Sequence, residues 1–153
     1  MIKIINSDFS IDDLYLNIKS NKNGAISIFL GTVRDDLFSE NKIIDSIFLE
    51  CYEGLALKQL EEIRYIAMKK WNLNNCVIIH RIGKILLGDK IVFIMTSSPH
   101  RNEAIKSNEF IIDQLKIKAA FWKFKESGNN SRVIEAKEED IKKDLKWRDV
   151  VEE

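Results

Sequence analysis

The sequence has little that kinks, cross-links or polarises it. Proline occurs once, at Pro99, and glycine only six times in 153 residues, which excludes collagen-like and linker-rich architectures. Cysteine occurs twice, at Cys51 and Cys76. Both lie in apolar, strand-like runs at a spacing that fits no metal motif, so they read as buried reduced thiols of a cytosolic protein. Two histidines, His80 and His100, are too few for a histidine-rich metal centre. Twenty-four Lys and Arg balance 24 Asp and Glu, leaving no global field to draw in nucleic acid or a membrane surface. Any positive site must therefore be built locally. No apolar run approaches a membrane span, and the opening MIKIINSDFS reads as neither signal peptide nor anchor. Also missing are a phosphate loop, a GxGxxG, an HExxH and a paired CxxC.

What remains is ordinary globular material, 45% hydrophobic and 31% charged, enough for one domain over residues 1–153 with a genuine core. IKIIN (2–6) reads as a short strand. Ser10, with Asp13 three positions on, marks a helix start, and that helix runs to about Lys19. AISIFLGTVR after Gly24 is a β-branched and aromatic strand, DDLFSENK (35–42) a polar loop, and IIDSIFLECY (43–52) a strand paired with the one before it. From Glu53 to Trp71, Leu57, Leu60, Ile63, Ala67 and Trp71 recur at helical steps, the pattern of an amphipathic helix on a sheet. NLNN ends it. CVIIHRIG (76–83) and DKIVFIMTSS (89–98) are strands joined by a loop containing Gly88. A helix of about five turns follows Pro99 and ends near Lys118, with Ile105, Ile112 and Leu115 on its buried side. AFWKFKE, the turn SGNN and RVIEA form a C-terminal β-hairpin, and a charged helix over roughly 137–147 closes the chain. Strands that outnumber helices and come in adjacent pairs imply an α+β fold with a largely antiparallel sheet and packed helices.

Three stretches can carry chemistry. In SSPHRNEA, Ser98 suits a helix cap and Pro99 the first helical position. His100 and Arg101 then fall in the first turn, where a cation is misplaced by about 0.3–1 kcal/mol unless an anion sits before it. Alternatively, Glu103 neutralises Arg101 and His100 only caps. In GTVRDD, Arg34 leaves a strand where it can clamp an anion or merely pair with Asp35 or Asp36. In LKIKAAFWKFK (115–125), four lysines interleave with aromatics. Strand alternation puts Trp122 and Phe124 on one face, as core, and Lys123 and Lys125 on the other. Lys116 sits near a helix end, where a cation suits the dipole. A lysine becomes a useful acid, base or nucleophile only where desolvation or neighbouring cations lower its pKa.

The ordered set GAISIFLGTVR, LECYEGLALKQLEEI, VIIHRIGKILLGDKIVFI, SSPHRNEAI, LKIKAAFWKFKE and VIEAKEED resembles the MoaE family, the large catalytic subunits of molybdopterin synthase. The resemblance covers roughly residues 24–140. It implies an α/β-hammerhead-like fold and a sulfur transfer that converts cyclic pyranopterin monophosphate (precursor Z) into molybdopterin. The implied sulfur donor is the thiocarboxylated C-terminal Gly-Gly tail of a small ubiquitin-like subunit. The implied assembly is a heterotetramer, a central homodimer of large subunits with a small subunit at each end. Carried over by motif, Lys116 and Lys123 are the catalytic candidates, and Arg34, His100, Arg101 and Lys137 the substrate-binding ones. No metal and no cofactor is implied. Three positions depart from the family's pattern. Lys137 stands where arginine is frequent, which weakens bidentate phosphate binding. Ala119-Ala120 replaces a pair that commonly contains proline, and Phe124 occupies a position usually basic. The readings that compete with catalysis are a non-catalytic anion- or peptide-tail-binding module and a scaffold that only dimerises.

Overall fold

The computed structural model describes residues 1–34, 46–118, 121–127, 130–133, 146, 147 and 150, with the side chains of 122–133 outside that description. Its elements run β1 (Ile2–Ile5), α1 (Ile11–Ile18), β2 (Ala25–Thr32), β3 (Ser46–Cys51), α2 (Glu53–Lys70), β4 (Asn75–Arg81), β5 (Gly83–Leu86), β6 (Lys90–Ser98), α3 (Arg101–Lys118), β7 (Phe121–Ser127) and β8 (Asn130–Val133). The α+β class holds. The strands, however, divide between two four-stranded sheets, ordered β1-β4-β6-β2 and β5-β3-β7-β8. Among the described strands only β1 and β4 pair in parallel.

Local chemistry accounts for the helices. Ser10 takes an extended backbone and its Oγ accepts the Asp13 N–H at 3.2 Å, with Asp12 and Asp13 in the first turn of α1. That cap offers a free amide an acceptor and the dipole a favourable charge. Leu14 and Ile18, one turn apart, are the residues α1 buries. In α2, Ala56, Leu60, Ile63 and Ala67 are buried at helical spacing, while Leu57 and Trp71 are half-buried. The helix stops where Asn72 takes a left-handed φ of 46°, a conformation asparagine tolerates better than most residues.

The first sheet is the middle of three layers. On one face α2 and α3 bury Leu60, Ile63, Phe110 and Ile111 against Cys76, Ile78 and Ile94. On the other, α1 buries Leu14 and Ile18 against Val77, Ile79, Phe93 and Met95. Neighbouring β4 residues thus enter opposite cores, as strand alternation requires. A third cluster, Val33, Ile47, Leu49, Ile85 and Ile91, seals the second sheet onto one end of the first.

Four expectations are corrected. The strand at 43–52 does not pair with its predecessor: β2 is the edge strand of the first sheet, whereas β3 pairs with β5 and β7 in the second, where Ile47 and Leu49 are buried with Ile85. The loop between β4 and β6 contains a strand of its own, β5, entered and left through Gly83 (φ 78°) and Gly88 (φ 84°). Ile105 is 57% exposed. The buried face of α3 is instead Ala104, Ser107, Asn108, Phe110, Ile111, Asp113 and Gln114, and its polar members are invisible to a search for apolar periodicity. Cys51 is half-buried, whereas Cys76 is buried; desolvation raises the first thiol's pKa and pushes the second up to about 11. The closing helix expected over 137–147 lies almost wholly outside the described residues. Trp147 is described: its Nε1–H donates to Asp113 Oδ2 at 3.0 Å, and its ring meets Phe110 edge-on at 5.5 Å.

Candidate functional site

Arg34 stands at the end of β2, exposed beside a buried Val33. The Val33 N–H donates to the Asp89 carbonyl at 3.0 Å, and the Gly88 N–H returns to the Val33 carbonyl at 2.7 Å. The ladder slips by one between Gly31 and Thr32, leaving Ile91 of β6 as the extra residue of a bulge. Gly31 permits the close approach, since a Cβ there would lie 2.6 Å from Val92 Cγ1. Arg34 is thus carried on a backbone tied at both sides to the β5–β6 turn.

Lys116 is exposed in the last turn of α3. The course of that helix is fixed by side-chain hydrogen bonds to the sheet. Thr96 Oγ1 donates to the Ala104 carbonyl at 2.7 Å, and Asn108 Nδ2 donates to Ser27 O at 2.9 Å and Ile94 O at 3.3 Å. As the helix advances the strand residues it meets recede, so α3 runs antiparallel to β6. Its C-terminal turn therefore returns to the Lys90 end of β6, which is also the Thr32 end of β2. Arg34 and Lys116 consequently share one end of the first sheet. β7 starts at that end as well: Phe121 stacks on His80, one residue from the end of β4, with ring centroids 3.8 Å apart and an interplanar angle of 12°. Further along β7, Lys123 pairs with the buried Leu49 and Trp122 with the exposed Glu50. Which way Trp122, Lys123, Phe124 and Lys125 point lies outside the described residues, as do Lys137, Asp35, Asp36 and the 119–120 link.

His100 and Arg101 lie elsewhere. The helix begins at Arg101 rather than Pro99, with the His100 carbonyl accepting from the Ala104 N–H at 3.4 Å and the His100 N–H donating to Ser98 Oγ at 3.4 Å. Both residues are exposed. Gly24 makes room for this corner: its N–H donates to Ser98 O at 3.1 Å, and a Cβ there would fall 2.0 Å from the Pro99 carbonyl oxygen. Arg101 forms no ion pair among the described residues, so Glu103 does not neutralise it. Ser98 pairs with Ala25, at the opposite end of the ladder from Thr32 and Lys90. At the usual strand rise β2 spans roughly 24 Å from Ala25 to Thr32, with Arg34 beyond its far end, and at the usual helix rise Arg101 is roughly 22 Å from Lys116. One chain therefore brings Arg34, Lys116 and the β7 backbone to one end, and His100 with Arg101 to the other.

Two features were not singled out as functional from the sequence. His80 enters the sequence reading only in the count of histidines, and its place in VIIHRIG gives no hint of the ring it stacks upon. A cavity of about 260 Å³ lies beside α2 and the end of α3, lined by Gln59, Glu62, Ile63, Ile66 and Lys118. It contains none of the candidate site residues, and Lys118 stands two positions from Lys116, on another side of the helix.

Fold and charge placement together define a class: α+β proteins of two joined sheets with exposed cations at strand and helix ends. The chain belongs to the MoaE protein family, whose model matches residues 4–118. It is 42% identical over 125 residues, 82% of each chain, to the molybdopterin synthase catalytic subunit of Haemophilus ducreyi. Among solved structures it resembles the molybdopterin biosynthesis MoaE protein of Burkholderia ambifaria, with a TM-score of 0.81 and 33% identity over 96% of this chain and 97% of that one. It also resembles a protein–protein complex of subunits 1 and 2 of molybdopterin-converting factor from Helicobacter pylori, with a TM-score of 0.72 and 25% identity over 90% of each chain. No described helix is long and apolar enough to cross a membrane.

Proposed function

We propose that this chain is the catalytic subunit of a molybdopterin synthase, converting cyclic pyranopterin monophosphate to molybdopterin with sulfur from the thiocarboxylated tail of a small ubiquitin-like partner. Membership of a family whose relatives carry that name, and a fold neighbour solved as a two-subunit complex, support the reaction and the partner. The observation that carries the site is the topology. The end of α3 and the start of β7 meet at one end of the first sheet, which brings together the segments bearing Lys116 and Lys123, with Arg34 at the same end.

In this reading the thiocarboxylate sulfur attacks a carbon of the pterin side chain and displaces an oxygen substituent there. Water then cleaves the resulting thioester, leaving the sulfur on the pterin and a carboxylate on the tail. Lys116 and Lys123 move the protons that attack and release require, or hold substrate or tail covalently in passing. Arg34 neutralises the phosphate through paired N–H donors. His100 and Arg101 bind phosphate too, but not within the same chain, since a single pterin phosphate cannot reach across the roughly 24 Å set by the strand rise. A homodimer resolves this: the second copy brings its own His100 and Arg101 to the Arg34–Lys116 end of the first. In a two-fold assembly each copy does the same for the other, giving two equivalent sites. Lys137 is assigned to the same phosphate site.

The test is reconstitution. Purified chain, a thiocarboxylated small partner and cyclic pyranopterin monophosphate should together yield a dithiolene product. Tail binding without product would leave a binding module, and neither would leave a scaffold.

A further inference from the structure

The geometry points to His80 as a positioning residue: by stacking on Phe121 it holds the start of β7 against the first sheet and so sets where Lys123 stands relative to Lys116. This rests on the reading above, in which both lysines serve one substrate. Lys116 belongs to a helix packed on the first sheet, and Lys123 to a strand of the second. Their spacing is only as constant as the joint between the two sheets on that side.

His80 is well suited to be that joint. It lies on a central strand, paired with Ile4 of β1 on one side and Val92 of β6 on the other, so its backbone cannot drift. The residue is 8% exposed. Its Nδ1 stands 2.9 Å from the Arg81 carbonyl oxygen. A carbonyl only accepts, so Nδ1 carries the hydrogen and the ring's rotation is fixed as well as its position. Phe121, the first residue of β7, lies against the imidazole with 12° between the planes and 3.8 Å between centroids. On its other side Phe121 is held by pairing with Cys51, in the same ladder that seats Lys123 opposite Leu49. A buried polar ring is a costly way to fill apolar space. Here the polar edge orients the ring and the flat face receives Phe121, two tasks that an aliphatic side chain cannot combine.

Displacing a reacting group by about 1 Å can cost about a hundredfold in rate. His80→Ala should therefore lower kcat by about ten- to a hundredfold, with KM and small-partner affinity within a few-fold of wild type. His80→Phe, which keeps a ring for the stack, should recover most of the lost kcat, whereas His80→Asn, which keeps a donor without the stack, should not. In a double-mutant cycle, His80→Ala and Phe121→Leu should be strongly non-additive in kcat, because each breaks the same contact. If His80→Ala does not fold, Phe121→Leu and His80→Phe still probe the joint. Wild-type kcat in a folded His80→Ala would overturn the inference, as would additivity in the cycle. A folded His80→Phe as slow as His80→Ala would also overturn it, since the imidazole itself would then be needed. Lys123→Ala run beside them separates the two layers. If that variant turns over normally, the assignment of Lys123 has failed; if it is inactive while His80→Ala is unimpaired, only the role of His80 has failed.

Discussion

The two ends of the β2–β6 ladder carry the same kind of charge in opposite structural settings. At the Arg34 end, cations sit where elements finish, at a strand terminus and in the last turn of α3, where Lys116 complements the helix dipole. At the Ser98 end, His100 and Arg101 stand where α3 begins, against the dipole, with Arg101 in no ion pair among the described residues. The first arrangement is stable as it stands; the second is favourable only with an anion in front of it. In the proposed reading the Arg34–Lys116 end carries the proton chemistry and one phosphate contact, and the helix start supplies the remaining phosphate contacts. Since one chain keeps the two apart, the site proposed above needs two copies.

The strongest way to break this contrast is at the chemical end. Lys116→Ala should reduce turnover by about two orders of magnitude or more, the scale for losing an acid–base group. Its far-UV circular dichroism and unfolding midpoint should stay at wild type, because the side chain is exposed. Near-normal turnover would remove Lys116 from the mechanism. Lys123→Arg sharpens the same end. Guanidinium keeps the charge but stays protonated, so substrate affinity should hold within a few-fold while turnover falls by about two orders. If both survive, Lys123 is an electrostatic anchor only.

At the capture end the effect should be smaller and of another kind. Arg101→Ala should raise KM roughly tenfold with little change in kcat, the scale of one charge-assisted hydrogen bond. The difference from wild type should shrink as salt is raised. An unchanged KM would make Arg101 a surface charge without a task.

The smallest effect, on stability rather than turnover, should come from Asp8. Lys90 Nζ lies 3.0 Å from its Oδ1, and chiefly this contact, then the Phe9 amide, holds the carboxyl below its ordinary pKa. A folded pKa below the unfolded one means that the ionised form stabilises the fold above the ordinary carboxylate value. That contribution fades as pH falls through the lowered one. Asp8→Asn should slightly lower the thermal midpoint at neutral pH and leave it unchanged in strong acid, checked by unfolding across pH. A loss in strong acid as large as at neutral pH would mean that the ion pair is not the cause.

How much of this could be read in advance depends on the range of the interaction. The Ser10 cap, the apolar stripe of α2 and the extent of α3 are properties of short windows, and the sequence pattern locates each within a residue or two. Long-range pairing left no such trace. Nothing in IIDSIFLECY tells which strand it will join, and β5 is too short to announce itself between two stronger strands. The polar buried face of α3 misled the periodicity toward Ile105 because Ser107, Asn108 and Gln114 count as surface residues until their partners are known. Of the site, the motifs supply the residue types and the resemblance their grouping. Their separation into two ends follows only from register, which no local signal encodes.

Subunit complementation tests the two-copy site most directly. Lys116→Ala and Arg101→Ala chains, each impaired alone, are mixed in equal amounts, allowed to exchange subunits, and assayed at a substrate concentration where both parents are weak. If each site takes Lys116 from one copy and Arg101 from the other, half the dimers are mixed. Each mixed dimer then has one site carrying both substitutions and one carrying neither, so activity should rise to about a quarter of wild type. A mixture no more active than the average of its parents would contradict the account, since the two residues would then serve one site within a single chain or no common site at all.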